Sequence, residues 1–77
     1  MIQYKILINT ISDVKEFVNI TNRYDFDIDL ASGRYSVDGK SIMGIFSLDL
    51  AKPIEMTAHV YTADDFVEDI QKFVIKE

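Results

Sequence analysis

Cysteine and tryptophan are absent from this 77-residue sequence, which holds one proline, three glycines and one histidine. Without cysteine there is no disulfide staple and no thiolate metal site, and the redox compartment stays open. No apolar run approaches the roughly 20 residues that span a bilayer. The opening MIQYKILIN lacks the basic region and small-residue cleavage site of a secretory signal, so a cytoplasmic protein with no membrane partner is the expectation. Positive charge is also scarce: eight Lys and Arg face thirteen Asp and Glu, for a net charge of −5. The basic residues are scattered, and nucleic acid, which needs a basic face, is set aside as a partner. There is no glycine-rich phosphate loop and no nucleophile elbow. No pair of carboxylates is placed for acid–base work at a hydrophobic pocket. These absences point away from an enzyme, a metal site or a cofactor.

What is present is the raw material of a small folded domain. Hydrophobic residues make up 48% of the chain and charged residues 27%, the balance of a globular protein rather than a disordered one. Seventy-seven residues are enough for one domain, 1–77, burying roughly 60% of the surface its unfolded chain exposes.

The periods order the elements. Residues 2–9 alternate, with Ile2, Tyr4, Ile6 and Ile8 on one face, as a half-buried strand does. From Val14 the spacing becomes helical, with Val14, Phe17, Val18, Thr21 and Tyr24 on one side. Residues 26–31 alternate again through Phe26, Ile28 and Leu30. A turn at Ser32-Gly33 and a return through Tyr35 and Val37 make a hairpin, which Asp38-Gly39 ends. A short apolar helix follows from about Ser41 to Leu48. After Pro53, Ile54, Met56, Ala58 and Val60 alternate against Glu55, Thr57, His59 and Tyr61. Ala63, Phe66, Val67, Ile70, Phe73 and Val74 then form the stripe of a last helix. The order β-α-β-β-α-β-α, with one apolar face per strand, predicts an α+β open-faced β-sandwich. Its four-stranded, mostly antiparallel sheet carries three helices on one face.

Three short patterns carry local chemistry. Thr10-Ile-Ser-Asp13 and Thr62-Ala-Asp-Asp65 both read as capping boxes at helix starts, with carboxylates at the positive end of the helix dipole. His59 falls on the solvated side of its strand and reads as a surface histidine. Ser41 has two readings. As the N-cap of the short helix, its hydroxyl accepts a bond from a free backbone N–H. The helix behind it, however, has more apolar residues than one stripe can hide. At about 100° per residue Ile42, Ile45 and Leu48 share the inner face, while Met43 and Phe46 turn partly outward. An exposed Met and Phe beside a polar rim are the makings of a protein-docking patch. A phosphate on Ser41 would meet free N–H groups at the helix start and put strong charge beside that patch.

The segment GKSIMGIFSLDL closely resembles the regulatory-serine region of HPr, the histidine-containing phosphocarrier family of the bacterial sugar phosphotransferase system. Lys40-Ser41-Ile42-Met43-Gly44 with Ser47-Leu48 is the most specific part, and the element order is also that family's. The resemblance implies a cytoplasmic bacterial protein whose Ser41 is the target of the HPr kinase. It also implies that Ile42, Met43 and Phe46 dock enzyme I, that kinase or a catabolite-control repressor. The other family signature, a Gly-Ile/Leu-His-Ala-Arg-Pro run whose histidine accepts phosphate, is missing. Counted back without a gap, Thr10 stands in place of the histidine, Ser12 of the arginine and Asp13 of the proline. A threonine ester does not hand phosphate onward as a phosphoimidazole does. The guanidinium that would grip the phosphate is lost, and Asp13 adds negative charge where it would sit.

Three functional readings follow. One is a regulatory docking module acting through the Ser41 helix. A second is a phosphocarrier with an unrecognised acceptor. The third is a diverged domain, or one detached from a larger phosphotransferase polypeptide, with an unrelated protein partner.

Overall fold

The computed structural model describes residues 1–76. Strand β1 (Ile2–Ile6) leads into helix α1 (Ile11–Thr21), then the hairpin of β2 (Ile28–Ser32) and β3 (Tyr35–Asp38). Helix α2 (Ile42–Phe46), strand β4 (Ile54–Ala58) and helix α3 (Asp64–Asp69) follow, and a 3₁₀ turn covers Gln71–Phe73. The sheet order is β1-β4-β2-β3, and every pairing is antiparallel. Strands β1 and β2 therefore run the same way with β4 inserted between them. The fold is the expected α+β open-faced sandwich, the helices covering one side of the sheet.

Alternation decides which side. Ile28 and Leu30 of β2 and Ile54, Met56 and Ala58 of β4 are buried, and they meet Val14, Phe17 and Ile20 from α1, Ile45 from α2 and Phe66 and Ile70 from the α3 region. Each of these side chains but that of Ala58, taken fully from water, contributes roughly 1.5–3 kcal/mol. Phe66 stands edge-on to Tyr24 at 5.2 Å and to Phe26 at 5.3 Å, closing the end of the core beside α3.

Several boundaries differ from the expectation. Strand β1 stops at Ile6, although Ile8 is buried as its alternation requires. Helix α1 begins at Ile11, a turn before its apolar stripe, because Thr10 caps it there. The hairpin turn is Gly33-Arg34, one residue later than Ser32-Gly33; Gly33 has φ +59°, as the first position of a two-residue hairpin turn favours. Helix α2 ends at Phe46, with Leu48 still buried just beyond it.

The last helix departs most. Its N-cap is Ala63, with no side-chain cap bond, so Thr62-Ala-Asp-Asp65 is not a capping box. Burial of Phe66 sets the helix phase, and Thr62 lies one residue too early for its hydroxyl to reach the free N–H groups. Val74 is extended rather than helical and bridges to Ile6. The edge of β1 draws it out of the helix. The Leu7 N–H donates to the Phe73 carbonyl (2.8 Å), and the Ile75 N–H donates to the Lys5 carbonyl (2.9 Å). Groups that would otherwise lie open on a strand edge are paired at the cost of the helix's last turn.

Candidate functional site

Two helix starts, those of α1 and α2, carry the residues singled out in the sequence. At α1, Thr10 has extended backbone, and its Oγ1 accepts from the Asp13 N–H at 3.0 Å. The Asp13 carboxylate reaches back and accepts from the Asn9 N–H at 3.3 Å. The box is thus closed on the residue before the cap rather than on the cap itself. Beside it lies an open cleft of about 400 Å³, lined by Leu7, Asn9, Asp13, Lys72 and Phe73 among others. No guanidinium reaches this helix start. Arg23 sits past the far end of α1, 3.8 Å from Asp69, and Arg34 is in the hairpin turn. The nearest cation at the cleft, Lys72, turns to Glu16 in an ion pair.

At α2, Ser41 is the N-cap, its Oγ accepting from the Gly44 N–H at 3.1 Å. The loop that presents it is held from both sides. The Ser41 N–H donates to the Asp38 carbonyl at 3.1 Å, and the Lys40 N–H donates to Asp38 Oδ1 at 2.9 Å. From the C-terminal end of α1, the buried Thr21 hydroxyl donates to the Gly39 carbonyl at 2.9 Å, and Asn22 Nδ2 donates to the Lys40 carbonyl at 3.2 Å. Lys40 returns the contact, its Nζ donating to the Tyr24 carbonyl at 2.6 Å. Gly39 permits this closeness, since a Cβ there would lie 2.7 Å from Ile28 Cγ2. Sequence spacing placed Thr21 and Tyr24 on the inner stripe of α1. That they anchor the serine loop was not visible from it, because each tie uses a backbone carbonyl, that of Gly39 for Thr21 and that of Tyr24 for Lys40, across 16–18 residues.

The outward residues of α2 fall where the helical angle puts them. Met43 is 75% exposed and Phe46 39%, Ile42 is half-buried, and Ile45 is fully buried. Met43 and Phe46 lie on the outside of a helix whose Ile45 faces the core.

His59 lies just past β4 on the open face of the sheet, away from both helix starts. Its Nε2 is 2.6 Å from Asp29 Oδ2, and its backbone N–H donates to the Asp27 carbonyl at 2.8 Å. The carboxylate partner was not anticipated, because β2 and β4 become neighbours only through the sheet order. Among the described residues no cluster of three or more His, Cys, Asp or Glu is arranged to hold a metal ion. Nor is any helix long and apolar enough to cross a membrane.

The most perturbed group nearby is Tyr24. Its hydroxyl donates to Asp69 Oδ2 at 2.7 Å, and that bond, with desolvation and the charges of Asp69 and Asp65, pushes the phenol up to about 12.

A capped serine on a short apolar helix, set against a four-stranded sheet of this order, is an arrangement shared with a known family. The family profile described as "PTS HPr component phosphorylation site" matches residues 13–76, and the chain belongs to the HPr family of the phosphotransferase system. The matched stretch takes in the Ser41 segment and begins three residues after Thr10. Among solved structures, the chain is similar to the phosphocarrier HPr of Bacillus anthracis, at 26% identity and TM-score 0.71, over 96% of each chain. It shares its fold with HPr-C-His of Thermoanaerobacter tengcongensis, at 20% identity and TM-score 0.79, over 96% of this chain and 91% of that one. It also shares it with the catabolite-repression protein Crh of Bacillus subtilis, a dimer with a swapped domain, at 24% identity and TM-score 0.65, over 95% and 88% of the two chains. No curated protein matches the chain.

Proposed function

We propose that this HPr-family protein is not a phosphocarrier but a cytoplasmic, non-enzymatic regulatory module, docking protein partners of the phosphotransferase system through the Ser41 helix. The observation that carries this reading is the start of α1. Thr10 and Asp13 close it with a hydroxyl and a carboxylate, and no imidazole or guanidinium is present there. An incoming phosphate meets a fixed negative charge at the place where it needs positive charge. The only histidine is on the other face of the sheet with Asp29.

The Ser41 helix, by contrast, is intact. Its serine is a true N-cap, and Met43 and Phe46 stand exposed behind it. On this reading Ser41 is the regulatory phosphorylation site for the HPr kinase, and Ile42, Met43 and Phe46 meet that kinase, enzyme I or a catabolite-control repressor. The likeness to Crh, a catabolite-repression protein, supports a regulatory role.

The test is incubation with enzyme I and phosphoenolpyruvate, followed by detection of protein-bound phosphate and location of the labelled residue. The protein is expected to stay unlabelled, while HPr kinase and ATP label Ser41. Phosphate on His59 or on Thr10 would sink the proposal in favour of a carrier with an unusual acceptor. Thr10→His is expected to recover little transfer, because Asp13 remains and Ser12 supplies no guanidinium. It also loses the cap, at about 1 kcal/mol.

A further inference from the structure

Strand β3 is a free edge of the sheet, next to β2 alone. The Gly39 N–H donates to the Ile28 carbonyl at 2.7 Å, and the β2–β3 register pairs Leu30 with Val37 and Ser32 with Tyr35. Bonded and non-bonded pairs alternate along an antiparallel ladder. Tyr35 and Val37 therefore direct their backbone groups to β2, and Ser36 and Asp38 direct theirs outward. The Asp38 carbonyl already accepts from Ser41, which leaves its N–H, whereas Ser36 offers both groups. The opposite edge, β1, is covered by residues 73–75. Of the usual protections of an exposed edge, Tyr35-Ser36-Val37-Asp38 has shortness and one charge, that of Asp38, but no proline and no lysine.

The edge is complementary to itself. Set antiparallel to a second copy with Ser36 opposite Ser36, it brings Arg34 opposite Asp38 of the second copy, twice. It also brings Tyr35 opposite Val37 of the second copy, twice. Among the described residues, Arg34 has no carboxylate partner and Asp38 has no cationic one. Within one chain these two lie about 13 Å apart along the strand and do not meet. Asp38 moreover faces Asp29, its directly opposed neighbour on β2, so an arriving guanidinium relieves a like-charge pair. On the helix-covered side, Tyr35 is 73% exposed and would gain an aromatic–β-branched cross-strand contact.

We propose that β3 is a self-pairing edge through which two copies of this protein form a reversible antiparallel dimer, joining their sheets into one of eight strands without exchanging any segment. A four-residue edge is well short of the roughly 1,200–2,000 Å² that a tight interface buries, so the dimer is weak and forms only in concentrated solution.

Sedimentation of the whole protein up to about 1 mM tests the pairing, the range in which an association of only a few kcal/mol becomes visible. The wild type is expected to shift from monomer to dimer across the series. Arg34→Asp and Asp38→Arg are each expected to weaken dimerisation about tenfold, by placing like charges at both ends of the seam. An equimolar mixture of the two variants is expected to restore dimer, because opposite charges then meet at both ends. Ser36→Pro, which removes an outward N–H and leaves the β2 ladder intact, is expected to abolish the dimer while the circular dichroism melt keeps its transition. Should Asp38→Arg fail to fold for loss of its bond to Lys40, Arg34→Asp and Ser36→Pro still decide the matter. A monomer throughout overturns the proposal and leaves the edge for an extended segment of another protein. A dimer indifferent to both Arg34→Asp and Ser36→Pro also overturns it, assigning association to another surface or to strand exchange.

Discussion

At the scale of single residues, Tyr24 ties three parts of the molecule together. Its carbonyl holds Lys40 beside Ser41, and its hydroxyl reaches Asp69 at the end of α3. Because its phenol is raised from the ordinary 10.0 to about 12, the folded state holds the proton more tightly than the unfolded chain does. The resulting stabilisation is fully present below pH 10 and is lost as the pH rises from 10 to 12. Titration of tyrosinate absorbance is expected to show a step near pH 12, and Asp69→Asn is expected to bring that step down towards 10. A step that ignores Asp69→Asn would mean the hydrogen bond does not govern the phenol. The tie to Asp69 joins residues 45 positions apart, so no local pattern announced it. Thr10 is the opposite case. Its cap was legible from Thr10-Ile-Ser-Asp13 because capping is a matter of three residues and one turn.

At the scale of elements, the proposed role of α2 predicts that docking and folding rest on different residues. Ile45 is fully buried, whereas Met43 and Phe46 are exposed on its far side. A carboxylate at 45 must be desolvated in the core, and Ile45→Asp is expected to unfold the protein at a cost of several kcal/mol. Met43→Asp and Phe46→Asp are expected to cost about 1 kcal/mol or less in stability, yet to abolish binding of the partner. Thermal melts beside binding measurements against HPr kinase check this, and melts as early as that of Ile45→Asp would make the patch simply core. The split within α2 was legible because five residues at 100° each leave little freedom. The last helix was not. Its stripe Phe66, Ile70, Phe73 is real and buried, but a period alone does not record that β1 has an open edge within reach of Val74. Tertiary hydrogen bonding overrode a local preference worth only tenths of a kcal/mol per residue.

At the scale of the whole molecule, the sequence shows four strands with one apolar face each, and the structure buries that face fully in β2 and β4, partly in β1, and leaves Tyr35 of β3 exposed. The neighbours of each strand are a different matter. A hairpin is read from its turn, so β2 beside β3 was expected, whereas the insertion of β4 between β1 and β2 has no local mark. That insertion decides the chemistry of the open face. It brings His59 to Asp29, and it leaves β3 as the free edge with Arg34 and Asp38 at its ends.

The same insertion sets a timetable during synthesis. Helix α1 and the β2–β3 hairpin can form from contiguous chain, and a hairpin closes in roughly 1–10 μs. Among the described residues β1 pairs with no strand except β4, which is made roughly fifty residues later. At about 5–20 residues per second, the apolar N-terminal strand waits some 3–10 s on the ribosome without its neighbour. Ile2, Tyr4 and Ile6 are then the segment offered to a chaperone or a protease. Chains truncated before β4 are expected to be cleaved within residues 2–6, and chains that include it to resist. Equal protection in both would mean that β1 is covered before its sheet exists.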